Sequence, residues 1–187
     1  MATLEVRIFG DPVLRQRALE VEDFDGALER LAADLFDTMR AEEGVGLAAN
    51  QVGVLRRLFT YEVPELDARP AATGAIVNPV LLGRSDDEQE GDEGCLSFPG
   101  LFYPLKRPLT VTVAHRDLEG AQHEVELTGF LARVWLHEMD HLDGVLFIDH
   151  LAKHDRAEAM RRMREHHDGT GAPAAGAGLL RGAPGHP

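Results

Sequence analysis

Five residues, His137-Glu138-Met139-Asp140-His141, constrain this chain more than any others. On a helix, positions i and i+4 lie one turn apart on the same face, so both imidazoles can reach one metal ion. Glu138 then stands beside the first of them, placed to exchange a proton with a water that such an ion activates, without being a ligand. The preceding run, Phe130 to Leu136, contains no proline or glycine and is mostly apolar, and Gly144 suits a left-handed helix end. The pattern predicts a core helix over 130–142 that carries a metal site. Paired histidines at this spacing also occur on ordinary solvated helices; the acid after the first histidine and the apolar approach set this one apart. Zinc or iron needs a third protein ligand, which must come from elsewhere in the chain.

The chain has one cysteine, Cys95, so no intramolecular disulfide is open to it. A lone cysteine is either a small buried apolar residue or a working thiolate, as nucleophile or metal ligand. Its setting, Glu93-Gly94-Cys95-Leu96-Ser97-Phe98-Pro99-Gly100, places it on a strand edge or turn facing a cleft.

At 187 residues the chain is long enough for one domain with a core and short for two. The net charge of −13, from 19 basic and 32 acidic side chains, argues against general nucleic-acid or anionic-membrane binding. No apolar run approaches the roughly 20 residues that span a bilayer, and the N-terminus lacks the layout of a secretory signal. A cytoplasmic protein is expected.

Along the chain, 4–9 alternates as a short strand would. Leu28, Leu31, Leu35 and Met39 recur at helical spacing behind Asp25, predicting an N-capped amphipathic helix over 26–41. Gly44-Val45-Gly46-Leu47-Ala48-Ala49-Asn50-Gln51 reads as a loop whose backbone packs closely against something; it matches neither a phosphate loop nor a dinucleotide fingerprint. Gln51 there is either a structural hydrogen-bonding residue or a donor aimed at a ligand. Strands are expected at 54–63 and 75–82, with a surface loop at 64–73 and a solvated acidic loop at 85–92. An antiparallel hairpin, 108–114 with 122–127, turns at Asp117-Leu118-Glu119-Gly120. Residues 145–148 read as a short strand or extended segment. A last helix over 153–164 has Ala157, Met160 and Met163 on one side. From 167 onward Gly, Ala and Pro dominate, so 167–187 reads as a disordered tail behind a catalytic domain at 1–166.

Two histidines and a thiolate form a three-ligand set with a fourth position open, the arrangement of catalytic metals. The backbone N–H of Leu96 and the amide of Gln51 are candidate oxyanion donors.

The segments 44–51, 93–97 and 137–142, in this order, resemble the three signature motifs of peptide deformylases, and the likeness runs from about residue 5 to about 164. The resemblance implies an α+β fold in which antiparallel β-sheets wrap around a central helix carrying the H-E-x-x-H motif. It implies a hydrolase that removes the formyl group from the N-terminal formylmethionine of new polypeptides. By it, Cys95, His137 and His141 bind the metal, Glu138 is the general acid/base, and Gln51 and the Leu96 N–H stabilise the oxyanion. Backbone near Gly46 and Gly94 pairs with the extended substrate, and Val45 and Val134 belong to the methionine pocket. The implied metal is ferrous iron, with zinc, nickel or cobalt able to substitute. Basic residues of the last helix, Arg161, Arg162 and Arg164, are a possible contact to ribosomal RNA. Two positions depart from the pattern: Leu136 stands where glutamine usually precedes the first histidine, and Phe98 where a smaller aliphatic residue is common.

Two rivals share the helix motif. A metalloprotease would draw its third ligand from downstream, with Asp149, His150 or His154 available. A non-catalytic metal-holding protein would have no use for Glu138 or an open ligand position.

Overall fold

The computed structural model describes residues 3–65 and 71–167. Helix α1 spans Gly26–Ala41, as expected, and Asp25 caps it by accepting from the Ala27 and Leu28 amides at 2.9 and 3.0 Å. Its apolar stripe, Leu28, Ala32, Leu35 and Met39, is fully buried; each large side chain so buried contributes about 1.5–3 kcal/mol. Strands β1 (Gly46–Ala48), β2 (Leu58–Val63) and β3 (Ala72–Arg84) follow. Strands β4 (Glu88–Cys95) and β5 (Phe98–Pro108) then precede the β6 (Thr110–Arg116) and β7 (Gln122–Thr128) hairpin. Helices α2 (Gly129–Leu142) and α3 (Lys153–His167) are the last of the described elements.

All strand pairs are antiparallel, in a five-stranded sheet of order β1-β2-β3-β6-β7 and a separate two-stranded sheet, β4-β5. Helix α2 lies between them. Towards the larger sheet it buries Ala132, Val134, Trp135, Leu136, Met139 and Leu142 against Phe59, Tyr61, Ile76, Val113 and Leu127. Leu136, the departure from the usual glutamine, is part of this apolar face. Gly144 ends the helix at φ +72°, where a Cβ would also lie 2.6 Å from the Arg15 carbonyl oxygen.

Several sequence expectations are corrected. Residues 4–9 form no strand: Leu4 donates to Thr38 Oγ1, Arg7 to the Gln51 carbonyl and Phe9 to that of Ser97, so the segment straps three elements and has no single partner. Of 54–63, only Leu58 onward is strand. β3 begins at Ala72, inside the expected 64–73 loop, whose residues 66–70 lie outside the described residues. The acidic stretch is largely strand β4, with Glu88, Glu90 and Asp92 exposed and Gln89, Gly91 and Glu93 turned inward. Strand β5 carries no clear strand pattern in the sequence because three prolines interrupt it. The 145–148 segment is extended only to Leu146, then winds into a 3-10 turn, Phe147–His150, held by Asp149 accepting from the Leu146 amide. On α3 the buried residues are Ala159 and Met163; Ala157 is exposed. The helix runs to His167, so the 166/167 domain boundary falls in its last turn, and 168–187 lie outside the described residues.

Candidate active site

Cys95 ends β4, and His137 and His141 face it from successive turns of α2. All three are buried, and one donor atom from each lies within 4.8 Å of the others. Cys95 Sγ is 3.2 Å from His141 Nε2. The alternatives for a third ligand are engaged elsewhere: Asp149 pairs with Arg15 and Arg156, His150 with Asp140, and His154 with Asp155.

The donor chemistry fits a divalent transition metal: a thiolate and two imidazoles suit zinc, iron, nickel or cobalt and do not suit magnesium or calcium. His137 Nδ1 donates to Glu93 Oε2 at 3.1 Å, which leaves Nε2 as the atom that could hold a metal. Burial alone would lower His137, yet Cys95, Glu93 and Glu138 around it hold it well above its ordinary value, while His141 is held well below.

Beside it Glu138 is buried, and its Oε2 has no hydrogen-bond partner among the described residues. Burial pushes this carboxyl up to about 7; the His137 charge opposes the rise and the Glu93 charge adds to it. Gly46 allows this placement, since a Cβ there would sit 2.3 Å from Glu138 Oε1. The expectation that the glycine segment packs closely against something is met here.

Gln51 is the structural hydrogen-bonding residue, the first of the two readings the sequence left open. Its Oε1 accepts from the Ala48 amide at 2.9 Å, and this bond aims Nε2 at Cys95 Sγ, 3.5 Å away, and Ser97 Oγ, 3.2 Å away. A cavity of about 20 Å³ opens among Gly44, Val45, Gly46, Gln51, Gly94, Cys95, Leu96, His137 and Glu138. That is room for about one water-sized group. Val134 is the exception among the expected substrate residues. It has no exposed surface, packs into the core of the larger sheet and does not line the cavity.

Sequence reasoning missed the charged network behind His137. Glu93, wholly buried, takes a two-pronged bond from Arg107 (2.8 and 2.9 Å), one from Arg133 (2.9 Å) and the one from His137. Arg107 also donates to Asp140 at 2.7 Å. Burial would raise the Glu93 carboxyl, but the Arg107 fork and the His137 donor outweigh it and hold it well below the usual range. An arginine inside the apolar 130–136 run was the available signal. Asn50, also missed, donates through Nδ2 to the His141 carbonyl.

The polypeptide deformylase family profile matches residues 3–157. A peptide deformylase of Parafrankia sp. (strain EAN1pec) is 47% identical over 165 residues, covering 88% of this chain and 87% of its own. Peptide deformylase 1 of Corynebacterium glutamicum is 47% identical over 164 residues, covering 88% and 96%. The crystal structure of peptide deformylase from Ehrlichia chaffeensis matches with a TM-score of 0.82 at 33% identity, over 89% of this chain and 97% of that one. The Legionella pneumophila structure gives 0.81 at 37%, over 89% and 96%. Sequence and fold agree along the same span: this chain belongs to the polypeptide deformylase family, metal-dependent hydrolases that take the formyl group off the N-terminal methionine of new polypeptides.

Proposed function

We propose that Cys95, His137 and His141 hold one divalent cation, ferrous iron in the native enzyme with zinc or nickel as substitutes, and that Glu138, Gln51 and Leu96 carry out deformylation around it. The observation that carries this reading is the buried Cys-His-His cluster with the Glu138 carboxylate beside it. When bound, the ion supplies Lewis acidity, lowering the pKa of water and polarising an amide carbonyl.

Around it the side chains divide the work. Glu138 takes a proton from the attacking water as its oxygen bonds to the formyl carbon. A carboxyl raised to about 7 suits that exchange near neutral pH. The Gln51 Nε2 amide and the Leu96 backbone N–H donate to the oxyanion of the tetrahedral intermediate. The C–N bond then breaks, Glu138 returns the proton to the departing nitrogen, and formate and a free methionyl amine leave.

Strand β1 ends the larger sheet and β4 ends the smaller, and the cavity lies between Gly46 and Gly94 on these two strands. An extended peptide laid there adds a strand to an exposed edge, with Val45 against the methionine side chain. The catalytic unit extends through the end of α3. Nascent chains as substrate place the work in the cytoplasm, with exposed Arg161, Arg162 and Arg164 of α3 towards ribosomal RNA. Unchanged ribosome co-sedimentation after reversing those three charges would remove that contact.

The test is formate release from formyl-Met-Ala-Ser by protein prepared anaerobically with iron, with metal measured on the same sample. Turnover that tracks bound metal is expected. Fully loaded protein without turnover would overturn the assignment of roles.

A further inference from the structure

The three ligand residues come from two elements that share no backbone hydrogen-bond ladder. His137 and His141 are on α2; Cys95 is at the end of β4, in a sheet separate from the one α2 packs against. The apolar cluster that includes α2 contains residues of the five-stranded sheet and none of β4 or β5. Cys95 belongs to a second apolar cluster, with Phe98, Leu105 and Leu146 to Ile148 beyond the end of α2, but no residue of α2 itself is in it. The far end of β4 and β5 is anchored by Ser85 N to the Thr110 carbonyl and Leu109 N to that of Asp87, but those bonds lie at the opposite end of β4 from Cys95.

Arg133 bridges this gap. It lies one turn before His137 on the same face of α2 and is only 3% exposed. From the helix it donates to the Gln89 carbonyl (3.2 Å), the Gly91 carbonyl (3.1 Å) and Glu93 Oε1 (2.9 Å) on β4, and to the Leu105 carbonyl (3.0 Å) on β5. The three β4 acceptors are alternate, inward-facing residues of the strand that ends in Cys95. Arg107 makes the reverse connection, from β5 to Asp140 on α2, and shares Glu93 with Arg133. Two arginines against two carboxylates leave the interface without excess charge, so its burial is compensated. A planar guanidinium with several fixed donors cannot slide along a strand without breaking several bonds together.

We propose that Arg133 is a positioning residue for the metal centre: by tying α2 to both strands of the smaller sheet, it sets where Cys95 stands relative to His137 and His141. The inference rests on the reading that those three residues hold a cation, and its test does not depend on deformylase activity. Arg133 touches no ligand atom. It acts through β4 and through Glu93, which orients the His137 ring.

The experiment uses the full chain loaded with cobalt(II), comparing wild type with Arg133→Met. It reads the visible absorption of the cobalt–thiolate centre and the rate at which a chelator strips the metal, with circular dichroism confirming the fold. Expected are an altered cobalt spectrum and metal retention weakened roughly 10–100-fold, the range for residues that support ligands from behind. If Arg133→Met does not fold, Arg133→Lys carries the test. It keeps the charge facing Glu93 but gathers its donors on one nitrogen, which cannot span Gln89 to Leu105, so the same direction is expected. A variant with lowered thermal stability but a wild-type spectrum and release rate would overturn the proposal, leaving Arg133 a structural residue only. A wild-type chain that takes up no cobalt would overturn the metal reading and this inference with it.

Discussion

Helix α2 shows two ways of holding the same element. One face meets the five-stranded sheet through Trp135, Leu136, Met139 and Leu142, where contact is apolar and rings meet edge to face, as Trp135 meets Phe59 at 5.5 Å. The other meets β4 and β5 through Arg133, His137 and Asp140, where contact is by charged hydrogen bonds to Glu93, Arg107 and backbone carbonyls. Apolar packing is non-directional and proportional to area, so it holds the helix in the core without dictating its last few tenths of an ångström. Charge-assisted bonds are directional and costly to leave unpaired, so they fix ring orientation and strand position. His137, a proposed metal ligand, stands on the second kind of face.

Glu138→Ala tests the division most sharply. It removes the proposed proton carrier and leaves both faces in place, so turnover should fall by about 10²–10⁴ while the metal content stays at the wild-type level. Metal lost together with activity would show Glu138 to be part of the ion's support. Next in size, Glu93→Ala strands two buried guanidinium groups against each other. A loss of about 3–5 kcal/mol in denaturant unfolding of the metal-free protein is expected, along with weakened metal retention. Unchanged stability would mean that water or a rearranged neighbour takes over the carboxylate's part.

Trp135→Ala breaks the other face. Its cost should also reach about 3–5 kcal/mol, but the fraction that remains folded should keep metal as wild type does, because no polar contact to β4 is touched. Equal damage to metal retention from Glu93→Ala and Trp135→Ala would dissolve the contrast between the faces. The smallest effect belongs to Leu136→Gln. An amide placed in the apolar cluster costs roughly 1–3 kcal/mol if it finds no partner. A variant as stable as wild type would show that a hydrogen-bond acceptor is within reach of position 136.

Much of the local structure was legible because it is encoded locally. Asp25 ahead of Leu28, Leu31, Leu35 and Met39 announces α1. The alternation around Asp117 to Gly120 announces the β6-β7 hairpin. The apolar run into His137, with Gly144 behind it, announces α2. The ligand spacing on that helix follows from 3.6 residues per turn, and the lone cysteine narrowed the third ligand to few candidates.

What the tertiary structure decided are the pairings between residues far apart in sequence. Glu93 opens the cysteine segment with no partner named for it until Arg107, Arg133 and His137 are seen to converge on it; before that, a carboxylate's default is solvent. The strand at 88–95 is visible only beside β5, because its outward side chains are charged and its pattern is that of a loop. Residues 4–9 carry a strand-like alternation but lack a single neighbour to ladder with. Val134, which the resemblance assigns to the methionine pocket, is buried among residues of the larger sheet. Periodicity and capping act within one or two turns of chain, so the sequence alone specifies them. Ladders, buried charge pairs and pocket walls depend on which distant segment arrives opposite, and only the folded chain holds that information.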